Sequence, residues 1–269
     1  MATDDICIVH SCITERIMFH PIIIPHFSEL CQKETPPLIN EPQKAFHGVI
    51  SYNPDLHSNS FLGKGAFKTA ISANVTLLGT RRVLIGLGQD LGADDDATFS
   101  VALKRPYEKR HGIGIKRLGV VDEEKKVMVE ANMLRYASSL LNFAYAHINQ
   151  FIADHDPPQA PFIIPELRFV NGAIAFAQKE VDVSHHGLGT PISHRAVYLL
   201  EELLQLKDKS AFDKYIHNAN ATPLLEVNEP GYETAVFLCF IQHIQFVKTH
   251  YQAYVSDFQG NDLYTFINL

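Results

Sequence analysis

The clearest hydrophobic alternation in the chain lies between residues 61 and 107. Apolar and β-branched residues alternate with polar ones over Ala66–Leu78, Arg82–Leu87 and Phe99–Tyr107. A period of two residues is typical of strands that bury one face. These stretches therefore predict three antiparallel strands of one sheet.

A helical period begins at Asp122. Apolar residues recur at steps of three and four, and acidic residues stand at the start, where they suit the positive end of the helix dipole. The apolar positions are Val127, Ala131, Leu134, Ala137, Leu141, Ala144 and Ile148. The pattern predicts one long helix over Asp122–Phe151 that lies across the sheet, and Thr234–Val247 predicts a second helix.

Shorter apolar runs fill the rest of the chain. Asn171 and Gly172 stand between the extended runs Phe162–Phe169 and Ala173–Gln178, which predicts a β-hairpin. Ala253–Phe258 predicts a strand. Val197–Leu204 is almost continuously apolar and fits either a buried strand or a buried helix.

Prolines dominate the first sixty residues. Each one fixes its own φ and removes a backbone donor, so this part predicts an irregular extension packed on the body, either a docking segment or a strap. The prolines are Pro21, Pro25, Pro36, Pro37, Pro42 and Pro54. This extension spans residues 1–60. We expect a first lobe over residues 61–201 and a second over residues 202–269, and the family resemblance given below implies that the second lobe is partial.

Composition narrows the class of protein. The 269 residues are 46% apolar and 20% charged, which is typical of a globular chain, and the length favours one bilobal unit. The net charge of −7 argues against nucleic acid as a partner, because such proteins carry a basic surplus. No apolar run is long enough to span a membrane, and the N-terminus is acidic, so we expect a cytoplasmic protein.

The cysteines indicate neither disulfides nor zinc. Cys7, Cys12, Cys31 and Cys239 have no repeated C-x-x-C spacing, so they predict no disulfide framework. Cys7, His10 and Cys12 lack the second ligand pair of a closed zinc site. We expect ordinary thiols.

Candidate phosphate-binding residues lie in the first lobe. Gly63 and Gly65 flank Lys64 in a turn, where backbone amides can approach phosphates closely. Lys104 ends an alternating strand, the place where kinases direct a cation at phosphates. Glu130, on the long helix, is a candidate carboxylate partner for Lys104. The alternatives are a plain hairpin turn, a solvated edge lysine and a glutamate that serves the helix dipole.

Candidate metal and catalytic residues lie in the second lobe. Lys214 and Asn218 are four residues apart, on one face if the segment is helical. Asp257 and Gln259 are two apart before Gly260, on one side of a strand, and their oxygens suit Mg²⁺. The alternative is a satisfied turn at the strand end and a plain helix surface.

In this order, the motifs resemble those of the alpha-kinase family of atypical protein kinases, and most closely its stand-alone fungal domains. They are the turn at 63–65, Val101-Ala102-Leu103-Lys104, Tyr198-Leu199-Leu200-Glu201, Phe212-Asp213-Lys214-Tyr215-Ile216-His217-Asn218, and Asp257-Phe258-Gln259-Gly260. The resemblance covers about Phe61 to Gly260. It implies an α+β, two-lobed kinase-like fold with an antiparallel sheet in the N-lobe, an incomplete C-lobe, and ATP between the lobes.

The resemblance also implies roles. Lys104 would contact the ATP phosphates, and Glu201 would lie at the hinge beside adenine. Lys214 and Asn218 would line the catalytic cleft, while Asp257, as a catalytic and metal residue, and Gln259 would hold Mg²⁺. The implied reaction transfers the γ-phosphoryl group of ATP to a serine or threonine of a protein substrate.

One departure opens a second hypothesis. Alpha-kinases carry a catalytic aspartate in a Thr-Asp-Pro segment and then His and Cys zinc ligands, whereas the positions about ten residues after Asp257 read Thr265-Phe266-Ile267-Asn268-Leu269. We therefore expect no zinc, and the alternative function is a catalytically inactive nucleotide-binding or interaction module. A third hypothesis is an adaptor that binds no nucleotide.

Overall fold

The computed structural model describes residues 12–32, 37–39, 45–78, 97–110, 114–155, 162–178, 194–204, 213–217, 220–256, 258–261 and 265–266. In chain order, its elements are β1 (Ile13–Pro21), α1 (Phe27–Leu30), β2 (Phe46–Tyr52), β3 (Phe61–Lys64), β4 (Lys68–Leu77), β5 (Ala97–Arg110), β6 (Gly114–Arg117), α2 (Val120–Ala153), β7 (Arg168–Phe169), β8 (Gly172–Gln178), β9 (His194–Glu202), β10 (Asp213–Lys214), α3 (Tyr232–Lys248), β11 (Gln259–Asn261) and β12 (Thr265–Phe266).

The chain divides into two compact units. The first comprises residues 1–21, 40–128 and 172–203, and the second comprises residues 22–39, 129–171 and 204–269. The first nine residues of α2 belong to the first unit and the remainder belongs to the second. An antiparallel sheet with one long helix confirms the predicted α+β class.

The first unit is built on an antiparallel sheet that closes on itself. The strands pair in the order β4-β2-β1-β8-β9-β5, and β5 returns to β4 over a ladder from Lys68↔Pro106 to Leu77↔Ala97. The short strands β3 and β6 extend this sheet beside β4 and β5. Closure pairs strand edges that would otherwise be exposed.

Alternate residues of these strands form one apolar core. Large aromatic rings on some strands face alanines on β8 and β9, which is how a narrow closed sheet is filled without voids. The inward residues are Ile17, Phe19, Ile50, Tyr52, Ile71, Ala73, Val75, Leu77, Phe99, Val101, Leu103, Ala173, Ala175, Ala177, Ala196, Tyr198 and Leu200. The predicted strands Ala66–Leu78 and Phe99–Tyr107 are confirmed as β4 and β5, while Arg82–Leu87 lies outside the described residues.

The N-terminal part is more regular than predicted. Strand β1 pairs with both β2 and β8 in the closed sheet, so the prediction of an irregular extension was wrong for β1 and β2. The prolines do not interrupt these strands, because Pro21 ends β1 and Pro54 follows β2. Residues 22–30 resemble a strap in the second unit, since Ser139 Oγ donates to the Pro25 carbonyl (2.8 Å) and Phe27 packs on Phe143.

The predicted hairpin at Asn171-Gly172 does not form. Strand β7 pairs in parallel with β12, whereas β8 pairs with β1 and β9. Gly172 does not have the positive φ that a type I′ hairpin turn requires. Strand β8 is apolar on both faces, which fits a central strand, and β9 resolves the ambiguous Val197–Leu204 run as a buried strand.

The second unit contains most of α2, all of α3 and a small sheet in the order β10-β11-β12-β7. Both predicted long helices are confirmed. The Tyr145 hydroxyl of α2 donates to the Pro165 carbonyl (2.6 Å) and accepts the Leu167 N–H (2.9 Å). Burial raises the pKa of this hydroxyl to about 12. No described helix has the length and apolarity needed to cross a membrane.

The strand predicted over Ala253–Phe258 is absent from the described residues. Side chains of α3 take the backbone bonds of this segment: Gln245 Oε1 accepts the Val255 N–H (2.9 Å), and Gln242 Nε2 donates to the Val255 carbonyl (2.7 Å). The segment enters through His250 and Tyr251, whose φ values of 55° and 67° make a left-handed turn. Pairing begins only at Gln259.

Candidate functional site

Lys104 and Glu201 form a buried ion pair. Lys104 Nζ lies 2.5 Å from Glu201 Oε2, and each residue is only 6% exposed. They lie diagonally across neighbouring strands, because β5 and β9 pair in the register Ala102↔Glu201 and Lys104↔Leu199. Their neighbours Leu103 and Leu200 belong to the inner core, so the pair lies on the outer face of the closed sheet.

Tyr107 of β5 holds the turn between β3 and β4. Tyr107 OH donates to the Gly65 carbonyl (2.6 Å), and the Tyr107 N–H donates to the Phe67 carbonyl (2.8 Å). Lys64 Nζ stands 5.7 Å from the centre of the Tyr107 ring, within range of a cation–π contact. The turn between β3 and β4 therefore has a defined position, and the exposed Lys64 ends β3 directly before it.

Neither Gly63 in β3 nor Gly65 in the turn that follows it has a steric reason to be glycine. Neither has a positive φ, and a Cβ would meet nothing within 4 Å at Gly63 and only the Lys68 carbonyl at 3.8 Å at Gly65. Gly48 is the opposite case, because its Cβ would lie 2.6 Å from the Thr76 carbonyl oxygen. A glycine that its own fold does not require fits a backbone that another molecule approaches closely.

This contrast gives a prediction for stability. We expect Gly63→Ala and Gly65→Ala to leave the free energy of unfolding unchanged or to raise it by about 0.4–1 kcal/mol, because alanine lowers the entropy of the unfolded chain. The matched control Gly48→Ala should lower it by about 1–3 kcal/mol through overpacking. Urea unfolding followed by circular dichroism measures all three. If Gly63→Ala lowered the free energy of unfolding as much as Gly48→Ala, the fold itself would require glycine at position 63, contrary to this prediction.

A second buried charge lies next to Lys104 along the chain. Arg105 Nε is 2.6 Å from Glu123 Oε1, and Glu123 at the start of α2 is fully buried. Burial lowers the pKa of the Arg105 guanidinium, the Glu123 carboxylate raises it, and the net pKa lies above the usual value. The guanidinium also stands over the Tyr198 ring, 5.6 Å from its centre.

Tyr198 belongs to a polar cluster on the inner face of the closed sheet. Its hydroxyl donates to Glu15 Oε2 (2.7 Å) and lies 3.2 Å from the Tyr52 hydroxyl. Burial raises the pKa of both tyrosines. Glu15 also pairs with Arg195 (2.7 Å). The cluster therefore connects β1, β2 and β9 through side chains.

In the second unit, the structure brings Lys214 and Gln259 together. They stand opposite each other in the β10–β11 ladder. The neighbouring pair is hydrogen-bonded, since the Tyr215 N–H donates to the Phe258 carbonyl (3.0 Å). Antiparallel pairs alternate, so Lys214 and Gln259 form a non-hydrogen-bonded pair, the kind in which side chains come closest. The condition under which Lys214 and Asn218 would share a helical face is not met at Lys214, because that residue is in strand β10.

Other predicted residues remain predictions. Asn218 and Asp257 lie outside the described residues. Glu130 is half-buried on α2, in the second unit, and its pairing with Lys104 is untested. Within the described ranges, no group of three or more His, Cys, Asp and Glu side chains could hold a metal ion.

Sequence reasoning missed Arg105, Glu123 and Glu15. Glu123 was interpreted through the helix dipole, and a pattern of apolar spacing cannot show which carboxylate of a first turn is buried. Glu15 carried a weak signal, because it stands at an inward position of the alternation Ile13, Ile17, Phe19. The prolines after β1 obscured that alternation.

Comparisons with known proteins found similarity only among solved structures. No protein-family model matches the sequence, and no curated protein does. The structure is similar to a catalytic-domain mutant of myosin heavy chain kinase A, with 11% identity, a TM-score of 0.47, and coverage of 94% of this chain and 81% of that one. It is also similar to the inactive alpha-kinase domain of that kinase in complex with ATP, with 14% identity, a TM-score of 0.47, and coverage of 96% and 82%. At such low scores the likeness carries no functional weight, so a function depends on the residues of this chain.

Proposed function

We propose that the chain binds ATP with Mg²⁺ and transfers the γ-phosphoryl group to a serine or threonine of a protein, as an alpha-type kinase. The observation that supports this best is the buried Lys104–Glu201 ion pair. Removing two charges from water costs several kcal/mol, and a pair of apolar residues would fill the same place without that cost. A lysine ammonium held in this way on a strand suits phosphate oxygens.

The glycine turn supports the same proposal. The backbone at Gly63 and Gly65 would lie beside the phosphates, and Lys104 would supply the positive charge there. The Gly65 N–H is not a donor to them, because it donates to the Lys68 carbonyl (2.9 Å). Glu201 orients Lys104, a role that the sequence assigned to Glu130, and its place at the hinge beside adenine stays part of the proposal. Both glycines have room for a side chain that they do not carry.

The second unit supplies the metal and the catalytic residues in this proposal. Asp257 and Gln259 hold Mg²⁺ through oxygen ligands. Lys214, which stands opposite Gln259, lies close to that centre, and Asn218 follows it along the chain. Mg²⁺ would neutralise charge on the phosphates, while Lys214 would hold the transferred group in position.

A second candidate is nucleotide binding without transfer. The position where the resemblance places the catalytic aspartate holds Phe266, next to Thr265 in β12. Strand β12 pairs with β11 and β7, so Phe266 is part of the small sheet. A missing base typically lowers a rate by about two to four decades.

The first test is a thermal-shift titration with ATP, with and without Mg²⁺. Saturating ATP at about 100 times Kd should stabilise the wild type by about 2.7 kcal/mol. Asp257→Ala should remove the Mg²⁺-dependent part. The double variant Lys104→Met/Glu201→Leu removes both buried charges together, so it should stay folded and lose the ATP shift.

The matched control is the exposed cross-strand pair Glu108↔Lys116. Glu108→Gln/Lys116→Gln removes the same types of charge from the neighbouring strands β5 and β6 and should keep the full shift. No shift of the wild type at saturating ATP would refute nucleotide binding. Where the shift is present, an assay for transfer of labelled phosphate from ATP to protein separates the two candidate functions. A gain in transfer by Phe266→Asp would support the second candidate, nucleotide binding without transfer.

A further inference from the structure

Strands β5 and β9 separate immediately beyond Lys104. Their last paired residues are Lys104↔Leu199, and continuation of the register would bring Pro106 opposite Val197. Pro106 has no N–H, so it could not donate to the Val197 carbonyl if the ladder continued. Beyond the end of the ladder, the Val197 N–H donates to a side chain, Glu123 Oε2, at 3.3 Å.

One carboxylate thus bridges the two strands at the point where they separate. Glu123 accepts from Val197 of β9 through one oxygen and pairs with Arg105 of β5 through the other at 2.6 Å. The side chain of Glu123 is 1% exposed, so water does not compete for either oxygen. Arg117 adds a contact on the same side, since its Nη1 donates to the Arg105 carbonyl (3.4 Å) and to Thr69 Oγ1 (3.0 Å).

We propose that Glu123 is a positioning residue for Lys104. Lys104 directly precedes Arg105, and its partner Glu201 lies on the strand that Glu123 holds through Val197. The bridge sets the spacing of β5 and β9 and thereby the geometry of the Lys104–Glu201 pair. This inference rests on the proposed function, because it assigns Glu123 a role in binding the phosphates of ATP through Lys104.

The experiment compares ligands with and without phosphates. Glu123→Gln keeps an acceptor for the Val197 N–H and removes the charge that holds Arg105. We expect it to weaken ATP and ADP about tenfold by calorimetry, as the loss of a charge-assisted contact implies, and to leave adenosine within about twofold. Glu123→Asp should recover part of the loss. A purely structural role would change all three ligands alike.

A second readout needs no nucleotide. An amine-acylating reagent followed by mass spectrometry measures the reactivity of the Lys104 amine, which burial and the ion pair keep low. Glu123→Gln should raise the labelling rate at Lys104 several-fold above that of Leu77→Ala. The control deletes a fully buried side chain at the other end of the β4–β5 ladder, Leu77↔Ala97, and so destabilises the same sheet without touching the bridge.

The two readouts separate the possible failures. Equal labelling of Lys104 in Glu123→Gln and Leu77→Ala, or an equal loss for adenosine and ATP, would overturn the positioning role. A wild type that binds no ATP would refute the proposed function, and the labelling comparison alone would then decide whether Glu123 positions Lys104.

Discussion

Replacing Lys104 by Met should lower the free energy of unfolding by about 3–5 kcal/mol, because Glu201 would remain as a buried charge without this partner. Glu201 is 6% exposed, so water cannot replace the ammonium without local opening. Addition of Glu201→Leu to the same chain should restore the stability to within about 1 kcal/mol of the wild type, or above it. Urea unfolding followed by circular dichroism measures each variant, since the chain has no Trp.

The matched control is again the exposed pair Glu108↔Lys116 on β5 and β6. Single substitutions there should change stability by no more than about 0.5 kcal/mol, because exposed ion pairs contribute little. A double-mutant cycle then isolates the coupling between Lys104 and Glu201. If Lys104→Met costs no more than Lys116→Gln, the pair is solvated, and the main support for the phosphate site is lost.

This pair also shows what a sequence can predict of a site. The alternation of β5 placed Lys104 correctly on the face opposite Leu103, because strand periodicity determines which residues share a face. The partner of Lys104 depends on which strand lies alongside β5, and that strand, β9, begins 84 residues after the end of β5. Long-range pairing of this kind leaves no periodic signal, so the sequence could not show Glu201 as a partner of Lys104. The pairing of Lys104 with Glu130 stays a prediction.

For the fold as well, local patterns were predicted from the sequence and long-range pairings were not. Helices α2 and α3 and strands β4 and β5 were predicted because each carries its own regular pattern over many residues. Strand β1 was missed because it lies among prolines, and the hairpin at Gly172 was predicted wrongly because a strong local turn signal competes with the central place of β8. The burial of both faces of a strand can outweigh a turn preference of two residues in the sequence.

In the second unit, the spacing of Lys214 and Asn218 left open whether their segment is helical. In the structure, Lys214 lies in the ladder with β11, and Ile216 pairs with Pro223. The register places Lys214 opposite Gln259. What the spacing could not show is that β10 and β11 are neighbours.

Phe258→Ala should be the most damaging single change in the second unit. The ring is 1% exposed and stacks on Phe169 with centroids 6.0 Å apart, and deletion of a buried phenyl ring costs about 3–5 kcal/mol. The Phe258 carbonyl also accepts the Tyr215 N–H (3.0 Å), the bond that aligns β10 with β11. We expect the Tyr215 amide to lose its protection from hydrogen exchange in the variant, as Lys214 and Gln259 lose their common register.

Two control substitutions test whether the effect of Phe258→Ala comes from the loss of buried packing. Phe258→Leu keeps most of the buried volume and should cost about half as much or less. Phe151→Ala makes the same deletion at a position that is 60% exposed on α2, and it should change stability by no more than about 0.5 kcal/mol. Equal effects of Phe258→Ala and Phe151→Ala would mean that the Phe169–Phe258 stack does not hold β11, and the alignment of Lys214 with Gln259 would then depend on backbone bonds alone.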